Sequence, residues 1–402
     1  MFLSGKKIIV GVSGSIAAYK SALLVRLLIK AGAEVQVMMT ESAHDFITPL
    51  TLATLSKRPA LTTYTKGEDG TWNNHVELGL WADAMIVAPA TAHTLARCAN
   101  GLCDDLLTAV YLSARCPVFF APAMDLDMYH HPSTQSNLQR LASYGNTLIE
   151  AGYGELASGL VGDGRLAEPE AILALLEKHF FRRDVAVGKR VLITAGPTQE
   201  AIDPVRYISN YSTGKMGFAL ARAFAYAGAQ VTLVSGPTSL PSPDDTIRII
   251  KVQSAQEMYE AAQEHFSQSD LTILTAAVAD YKPAQAATQK IKKKEEVLNL
   301  ELLKTVDIAA TLGIQKRAGQ LLVGFALETD NELANAMDKL MRKNMDYIVL
   351  NSLNDAGAGF AHDTNKITVI DKEERIRQYE LKSKQKAARD IMEIIIDKWS
   401  EV

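Results

Sequence analysis

The chain has 402 residues and a mass of 43.8 kDa, enough for two or three domains of ordinary size. Apolar residues make up 48% and charged residues 22%, a globular composition that can build cores without disulfides. A formal net charge of −4 argues against a general nucleic-acid binder, which needs a basic excess.

The N-terminus runs directly into a strand pattern at residues 7–12, with no signal-peptide signature. No apolar run reaches the roughly 18 residues of a membrane span, so a cytoplasmic protein without a membrane partner is expected. Gly-Ser punctuation follows the strand, then an amphipathic helix over 16–30, stopped by Gly32, and a strand over 34–39. The alternation recurs with a strand at 84–88, helical stretches at 91–98 and 104–114, and a strand at 117–121. Short apolar strands separated by helices predict a parallel sheet covered on both faces. Cys98, Cys103 and Cys116 form neither a disulfide framework nor the usual zinc spacing, so reduced thiols are expected. Residues 150–165 are glycine-rich and read as a mobile flap. A helix over 169–180 closes the unit, and residues 181–188 form the junction. A second series then begins, with strands at 190–194, 230–235, 271–276, 321–325 and 347–350. Its helices fall at 214–227, 255–266, 331–343 and 383–398. The expected fold class is α/β, with two tandem Rossmann-like domains.

The loop Gly11-Val12-Ser13-Gly14-Ser15-Ile16 ends a strand and opens a helix, where backbone N–H groups and serine hydroxyls suit a phosphate. It lacks the G-x-G-x-x-G spacing, so an NAD site is not indicated. Ala88-Pro89-Ala90-Thr91 sits at the carboxyl end of another apolar strand, where open α/β sheets bind ligands. Asp104 suits a helix cap. His75 is either an acid/base group or a structural histidine.

These segments, with Trp81-Ala82-Asp83 and Pro122-Ala123-Met124-Asp125-Leu126-Asp127-Met128, resemble the flavin-containing cysteine decarboxylases. Nearly the whole chain resembles the bifunctional phosphopantothenoylcysteine decarboxylase / phosphopantothenate–cysteine ligase family of coenzyme A biosynthesis. The resemblance implies an FMN-binding decarboxylase domain at 1–183 and a CTP-dependent ligase domain at 188–402. It assigns Ser15, Thr40, Ser42, Pro89, Ala90 and Thr91 to the flavin pocket and makes His75 the active-site histidine. The implied reaction oxidises a cysteinyl thiol to a thioaldehyde with FMN as acceptor, loses CO2, and reduces the enethiol with the same flavin. Two positions depart from the family: Asp125 stands in place of an asparagine, and Ser158 in place of a reactive flap cysteine. An ionised aspartate repels a substrate carboxylate that an asparagine would bind, and serine is a far weaker acid than cysteine. The family's asparagine after Ala92 is His93 in this chain.

In the second half, Thr194-Ala195-Gly196-Pro197-Thr198 ends a strand and suits phosphate oxygens. Gly214-Lys215 is no Walker A site, because Ser209 and Met216 occupy its glycine and Ser/Thr positions. The resemblance makes Asn210 the stabiliser of an acyl-cytidylate and Lys290 a nucleotide or transition-state contact. It places CTP on Ala276, Ala277, Asp280, Lys290, Thr305, Val306, Asp307, Ile308, Phe325, Lys339 and Lys343. A triphosphate with Mg2+ needs such lysines and fixed amide donors, while the metal ligands remain unassigned. Lys339 and Lys343, four apart on a helix, share a face. The implied substrates are 4′-phosphopantothenate, cysteine and CTP. The implied assembly is a homo-oligomer with trimeric flavin domains and dimeric ligase domains. Two alternatives stay open: a ligase whose flavin domain cannot decarboxylate, and a non-enzymatic flavin-dependent regulatory subunit.

Overall fold

The computed structural model describes residues 3–65, 71–292, 298–328, 330–352 and 362–401. The chain divides into two compact units, residues 1–180 and 181–402.

Unit 1 is built on β1 (Lys7–Val12), β2 (Glu34–Met39), β3 (Ala84–Ala90), β4 (Val118–Pro122) and β5 (Thr147–Leu148). They form one all-parallel sheet in the order β2-β1-β3-β4-β5. Successive side chains of a strand point to opposite faces, and here both faces are buried. Ile8, Val10 and Val12 enter one core with Leu24, Leu28 and Leu176. Ile9 enters the other with Leu107, Val110 and Phe120. This double burial is why β3 is apolar throughout, with every residue buried. The helices are α1 (Tyr19–Lys30), α2 (Pro49–Ser56), α3 (His75–Trp81), α4 (Ala92–Asn100), α5 (Leu106–Ser113), α6 (Leu126–His130), α7 (Pro132–Ser143) and α8 (Pro169–Phe181). A 3-10 turn, Ile16–Ala18, replaces the first turn expected of α1. The glycine-rich stretch is an antiparallel hairpin of β6 (Gly152–Glu155) and β7 (Val161–Arg165).

Unit 2 carries an eight-stranded mixed sheet. Its strands are β8 (Arg190–Ala195), β11 (Gln230–Ser235), β12 (Arg248–Lys251), β13 (Leu271–Leu274), β16 (Leu321–Glu328), β17 (Tyr347–Ser352), β19 (Ile367–Asp371) and β20 (Ile376–Gln378). The order is β12-β11-β8-β13-β16-β17-β19-β20, parallel as far as β17 and antiparallel beyond it. Three small pairs decorate it: β9 (Gln199–Ala201) with β10 (Tyr207–Ser209), β14 (Tyr281–Pro283) with β15 (Leu302–Lys304), and β18 (Thr364–Asn365) with β21 (Lys382–Ser383). The helices are α9 (Lys215–Ala227), α10 (Ala255–Phe266), α11 (Ile308–Gln315), α12 (Glu332–Arg342) and α13 (Lys384–Ser400). One core joins Leu192, Phe266, Leu312 and Ile348 from β8, α10, α11 and β17. The pairs β9–β10, β14–β15 and β18–β21 were not legible as periodic patterns, because two- and three-residue strands are too short to show a period. Among the described residues no helix is long and apolar enough to cross a membrane.

Candidate active sites

In unit 1, β1 and β3 lie side by side, and the chain leaves them toward β2 on one side and β4 on the other. Ligands of open α/β sheets bind in the crevice at such a point. Three local features shape it. Ser13 Oγ donates to Pro89 O at 2.7 Å and accepts from Thr91 N at 3.1 Å, which ties the two strand ends together. Ser15 caps the 3-10 turn by accepting from Ala17 N, and Thr91 caps α4 by accepting from Thr94 N. Gly14 is packed so closely that a Cβ there would stand 2.5 Å from Ser42 Oγ.

The result is an open cavity of about 750 Å³. Ser15, Thr40, Ser42 and Thr91 line it, as do Ala123, Met124 and Met128. Pro89 and Ala90 are not in its wall; they hold the wall through their carbonyls, Pro89 O to Ser13 and Ala90 O to Ala123 N at 3.1 Å. Sequence reasoning did not assign His93, Arg97, Asp104 and Asp105 to this cavity, although all four line it. Arg97 pairs with Asp104 and, at 2.8 Å, with Asp105, while its buried Nε lacks an acceptor. Asp105, not Asp104, caps α5. Behind the wall, burial pushes the Cys98 thiol up to about 12, so Cys98 is no nucleophile.

His75, Asp125 and Ser158 are not brought into the cavity wall. His75 opens α3 behind Tyr64, whose hydroxyl donates to Asp105 O at 3.1 Å; the two rings lie edge to face, and His75 Nδ1 is buried without a partner. Asp125 caps α6, accepting from Leu126 N at 2.7 Å. Ser158 is exposed at the tip of the β6–β7 hairpin, where Leu160 N donates to its Oγ at 3.4 Å. The base of that hairpin is fastened to the Asp125 loop. Met124 N donates to Gly164 O at 3.0 Å, and a Cβ on Gly164 (φ +122°) would stand 2.4 Å from Met124 O.

In unit 2, the carboxyl ends of β8, β13, β16 and β17 open into a cavity of about 640 Å³. It is lined by Asn210, Ala276, Ala277, Asp280, Thr305, Val306, Asp307, Ile308, Phe325, Lys339 and Lys343. Asn210 Nδ2 donates to Ala277 O at 2.9 Å, and Thr305 Oγ1 to Ala279 O at 2.6 Å. Asp307 caps α11 through Ala310 N and pairs with Lys343 Nζ at 2.7 Å. Burial pushes the Asp307 carboxyl up, but the Lys343 and Ala310 contacts outweigh it and hold it below the usual range. Lys343 is the C-cap of α12, and Lys339 Nζ donates to Phe325 O at 3.1 Å. Burial, then repulsion from Lys343, lowers the Lys339 pKa. Gly214 (φ +80°) is the N-cap of α9, so the first turn of a 13-residue helix opens into the cavity, an arrangement that favours anions.

Lys290 is outside this wall and exposed. Its neighbour Ile291 is pinned, donating to Asp203 Oδ2 at 3.1 Å and accepting from Arg206 Nη2 at 2.7 Å. Lys293 and Lys294 of the basic run lie outside the described residues. Sequence reasoning missed Lys215, Asn351, Asn365 and Lys384, which also line the cavity. No local pattern marks them, since they come from α9, β17, β18 and α13.

The family model described as Flavoprotein matches residues 2–181, and that described as DNA/pantothenate metabolism flavoprotein C-terminal domain matches residues 186–398. Over 395 residues the chain is 46% identical to the coenzyme A biosynthesis bifunctional protein CoaBC of Bacillus subtilis (strain 168), covering 98% of this chain and 97% of the relative. The chain belongs to the bifunctional phosphopantothenoylcysteine decarboxylase / phosphopantothenate–cysteine ligase family. It is also 56% identical over 354 residues to a cysteine/cysteine sulfinic acid decarboxylase from an unknown prokaryotic organism, covering 87% of this chain and 99% of that relative. A solved C-terminal domain of the coenzyme A biosynthesis bifunctional protein CoaBC is 42% identical, with a TM-score of 0.46, covering 54% of this chain and all of that one. Unit 1 of this family member is a flavoprotein unit.

Proposed function

We propose that residues 188–402 join cysteine to 4′-phosphopantothenate with CTP, and that residues 1–183 decarboxylate the product to 4′-phosphopantetheine with FMN. One observation carries the ligase half: eleven expected residues, from Asn210 to Lys343, converge on a single cavity beside the start of α9. There the α9 N-terminus and Lys339 meet the triphosphate as the substrate carboxylate displaces pyrophosphate. Fixed donors of this kind favour charge that develops in the transition state. Asn210, already oriented by Ala277 O, holds the acyl-cytidylate. The cysteine amine then attacks the acyl carbon. A C–N bond forms, the acyl C–O bond breaks, CMP leaves with the electron pair, and the amine loses its proton to water. Mg2+ would be held by the triphosphate together with Asp280, a cavity carboxylate, and would supply charge neutralisation there. Among the described residues no group of three His, Cys, Asp or Glu side chains is placed to hold a metal alone. Lys290, exposed beside the pinned Ile291, is the further cation assigned to the phosphates by the family resemblance.

FMN suits the unit 1 cavity, with its hydroxyls at the strand ends and the unmatched Arg97 Nε. When bound, the flavin supplies a reversible two-electron acceptor for the substrate thiol. Ser15, Thr40, Ser42 and Thr91 would hold it, Met124 and Met128 would exclude water, and the hairpin anchored at Gly164 would cover the substrate. The family resemblance gives proton transfer to His75, whose ring in the single chain lies beside Tyr64 and outside the cavity wall. We propose a cytoplasmic homo-oligomer, with trimeric flavin units and dimeric ligase units. The free cysteines, exposed Val76 and Leu80 on α3, and exposed Val205, Tyr207 and Tyr211 around β10 support that reading.

A second reading of unit 1 is favoured by Asp125, Ser158 and the 56% identical relative: decarboxylation of free cysteine or its sulfinic acid. A carboxylate at 125 repels the carboxylate of an N-acylated cysteine but pairs with the α-ammonium that only the free amino acid carries. The experiment supplies CTP, 4′-phosphopantothenate and cysteine, and identifies products by mass spectrometry. In parallel, phosphopantothenoylcysteine, cysteine and cysteine sulfinic acid are offered singly to the wild type and to Asp125→Asn/Ser158→Cys. Wild-type formation of 4′-phosphopantetheine supports the bifunctional reading. CO2 released from the free amino acids, and from phosphopantothenoylcysteine only in the double variant, replaces it with the second.

A further inference from the structure

Part of the ligase cavity is left over once the nucleotide residues are assigned. Its wall there carries Asn351 at the end of β17, Asn365 in β18 and Lys384 at the start of α13. The Oδ1 atoms of both asparagines are shielded from solvent and receive no hydrogen bond. Asn365 is only 3% exposed and Lys384 only 7%. Buried polar atoms are almost always satisfied, so two orphan acceptors in one cavity wall point to donors that a ligand brings.

A cation stands with them. The Lys384 ammonium donates to His362 O at 2.6 Å. Lys215, in the same wall, pairs with Asp363 Oδ1 at 2.6 Å, and the same carboxylate also acts on Lys384. Burial, followed by repulsion from Lys215, lowers the Lys384 pKa against the opposing pull of Asp363, and an incoming anion would favour its charged form. Two donor-seeking oxygens beside a buried cation match a molecule that carries an ammonium and a carboxylate a few atoms apart.

We propose that Asn351, Asn365 and Lys384 form the subsite for the amino acid substrate of ligation. The amide oxygens receive its α-ammonium group, and Lys384 receives its carboxylate. This rests on the ligase reading above. The other acceptor substrate fits less well: 4′-phosphopantothenate has a dianionic phosphate and no ammonium. Held this way, the amino group lies in the same cavity in which the acyl-cytidylate forms, and it becomes nucleophilic once the ammonium has given a proton to water.

The test uses the full chain. Pyrophosphate release from CTP and 4′-phosphopantothenate without cysteine reads activation alone, and complete ligation is then titrated with each substrate. Asn351→Ala and Asn365→Ala are each expected to raise the KM for cysteine by about tenfold, the scale of a lost hydrogen bond to a charged group. Activation without cysteine, and the KM for CTP and 4′-phosphopantothenate, stay as in the wild type. A second measurement needs no asparagine variant. Cysteamine, which lacks the carboxylate, is expected to be a much poorer nucleophile substrate than cysteine for the wild type, and that preference is lost in Lys384→Met. Unchanged cysteine KM in the alanine variants, a rise confined to CTP or 4′-phosphopantothenate, or equal wild-type use of cysteamine and cysteine overturns the subsite while the ligase reading stands. A wild type that releases no pyrophosphate overturns both.

Discussion

Replacing Gly217 with alanine tests whether the start of α9 is fixed by close packing on the sheet. A Cβ at this position would stand 2.4 Å from Ala195 Cβ and 2.5 Å from Thr275 Oγ1. Neither neighbour yields easily: Ala195 ends β8, and Thr275 Oγ1 is committed to Thr194 O at 2.7 Å. Apolar atoms are comfortable at roughly 3.5–4.0 Å, so the helix must retreat by about 1 Å. Overpacking of this kind costs roughly 1–3 kcal/mol. With a urea m-value of about 1–3 kcal/mol/M, the midpoint of unit 2 falls by about 1 M. Trp399 of α13 reports on the transition, since it is buried with its ring 6.1 Å from Phe224 of α9. The same displacement moves the α9 N-terminus away from the proposed triphosphate site, and a 1 Å misplacement costs on the order of 100-fold in rate. Urea titration by fluorescence and pyrophosphate release measure the two effects. An unchanged midpoint together with a wild-type rate of pyrophosphate release would refute the packing argument.

Gly164→Ala drives a Cβ into Met124 O and frees the hairpin base from the Asp125 loop, so CO2 release is expected to fall about tenfold or more while pyrophosphate release is unchanged; comparing the two rates on one preparation checks it. Asp203 accepts from Arg206 and from the N–H groups of Val205, Arg206 and Ile291; although burial pushes its carboxyl up, these contacts hold it well below the usual range. A carboxyl lowered on folding contributes stability that is complete above its unfolded value of about 3.9 and is lost as pH falls through the lower folded value. The stability lost in Asp203→Asn is therefore expected to be constant from about pH 5 to 8 and to shrink only in stronger acid, as urea titrations across pH will measure. Asp203→Asn also loosens Ile291, so ligation slows in it as in Lys290→Gln, and a wild-type ligation rate in Lys290→Gln would remove that lysine from the mechanism.

Residues whose role depends on their local neighbours were legible early. The Gly14–Ser15 turn, the Thr91 cap and the Ala276–Asp280 stretch each end an apolar strand, and a strand end in an α/β sheet is where ligands sit. Lys339 and Lys343 were assigned by the family resemblance, and their spacing of four placed them on one helix face. By contrast, Arg97 and His93 face the unit 1 cavity because α4 is capped at Thr91, and Lys384 is buried only because β18 and β21 pair beside the ligase cavity. Nothing in a one-dimensional pattern separates Lys384 from the solvated lysines around it in α13.

The sequence by itself determined the alternation of apolar strands and helices in the two α/β units, and the strand ends at which the two cavities open. Those features arise from hydrophobic periodicity and chain punctuation, which act over ten to twenty residues. The tertiary structure decided which side chains share a cavity. It put Asn210 and Lys343 in one wall across more than a hundred residues, and it left His75, Asp125, Ser158 and Lys290 outside the walls of their own units. The reason is that a cavity forms where several strand ends converge. Its composition is therefore set by sheet order and helix packing, which no local stretch of sequence contains.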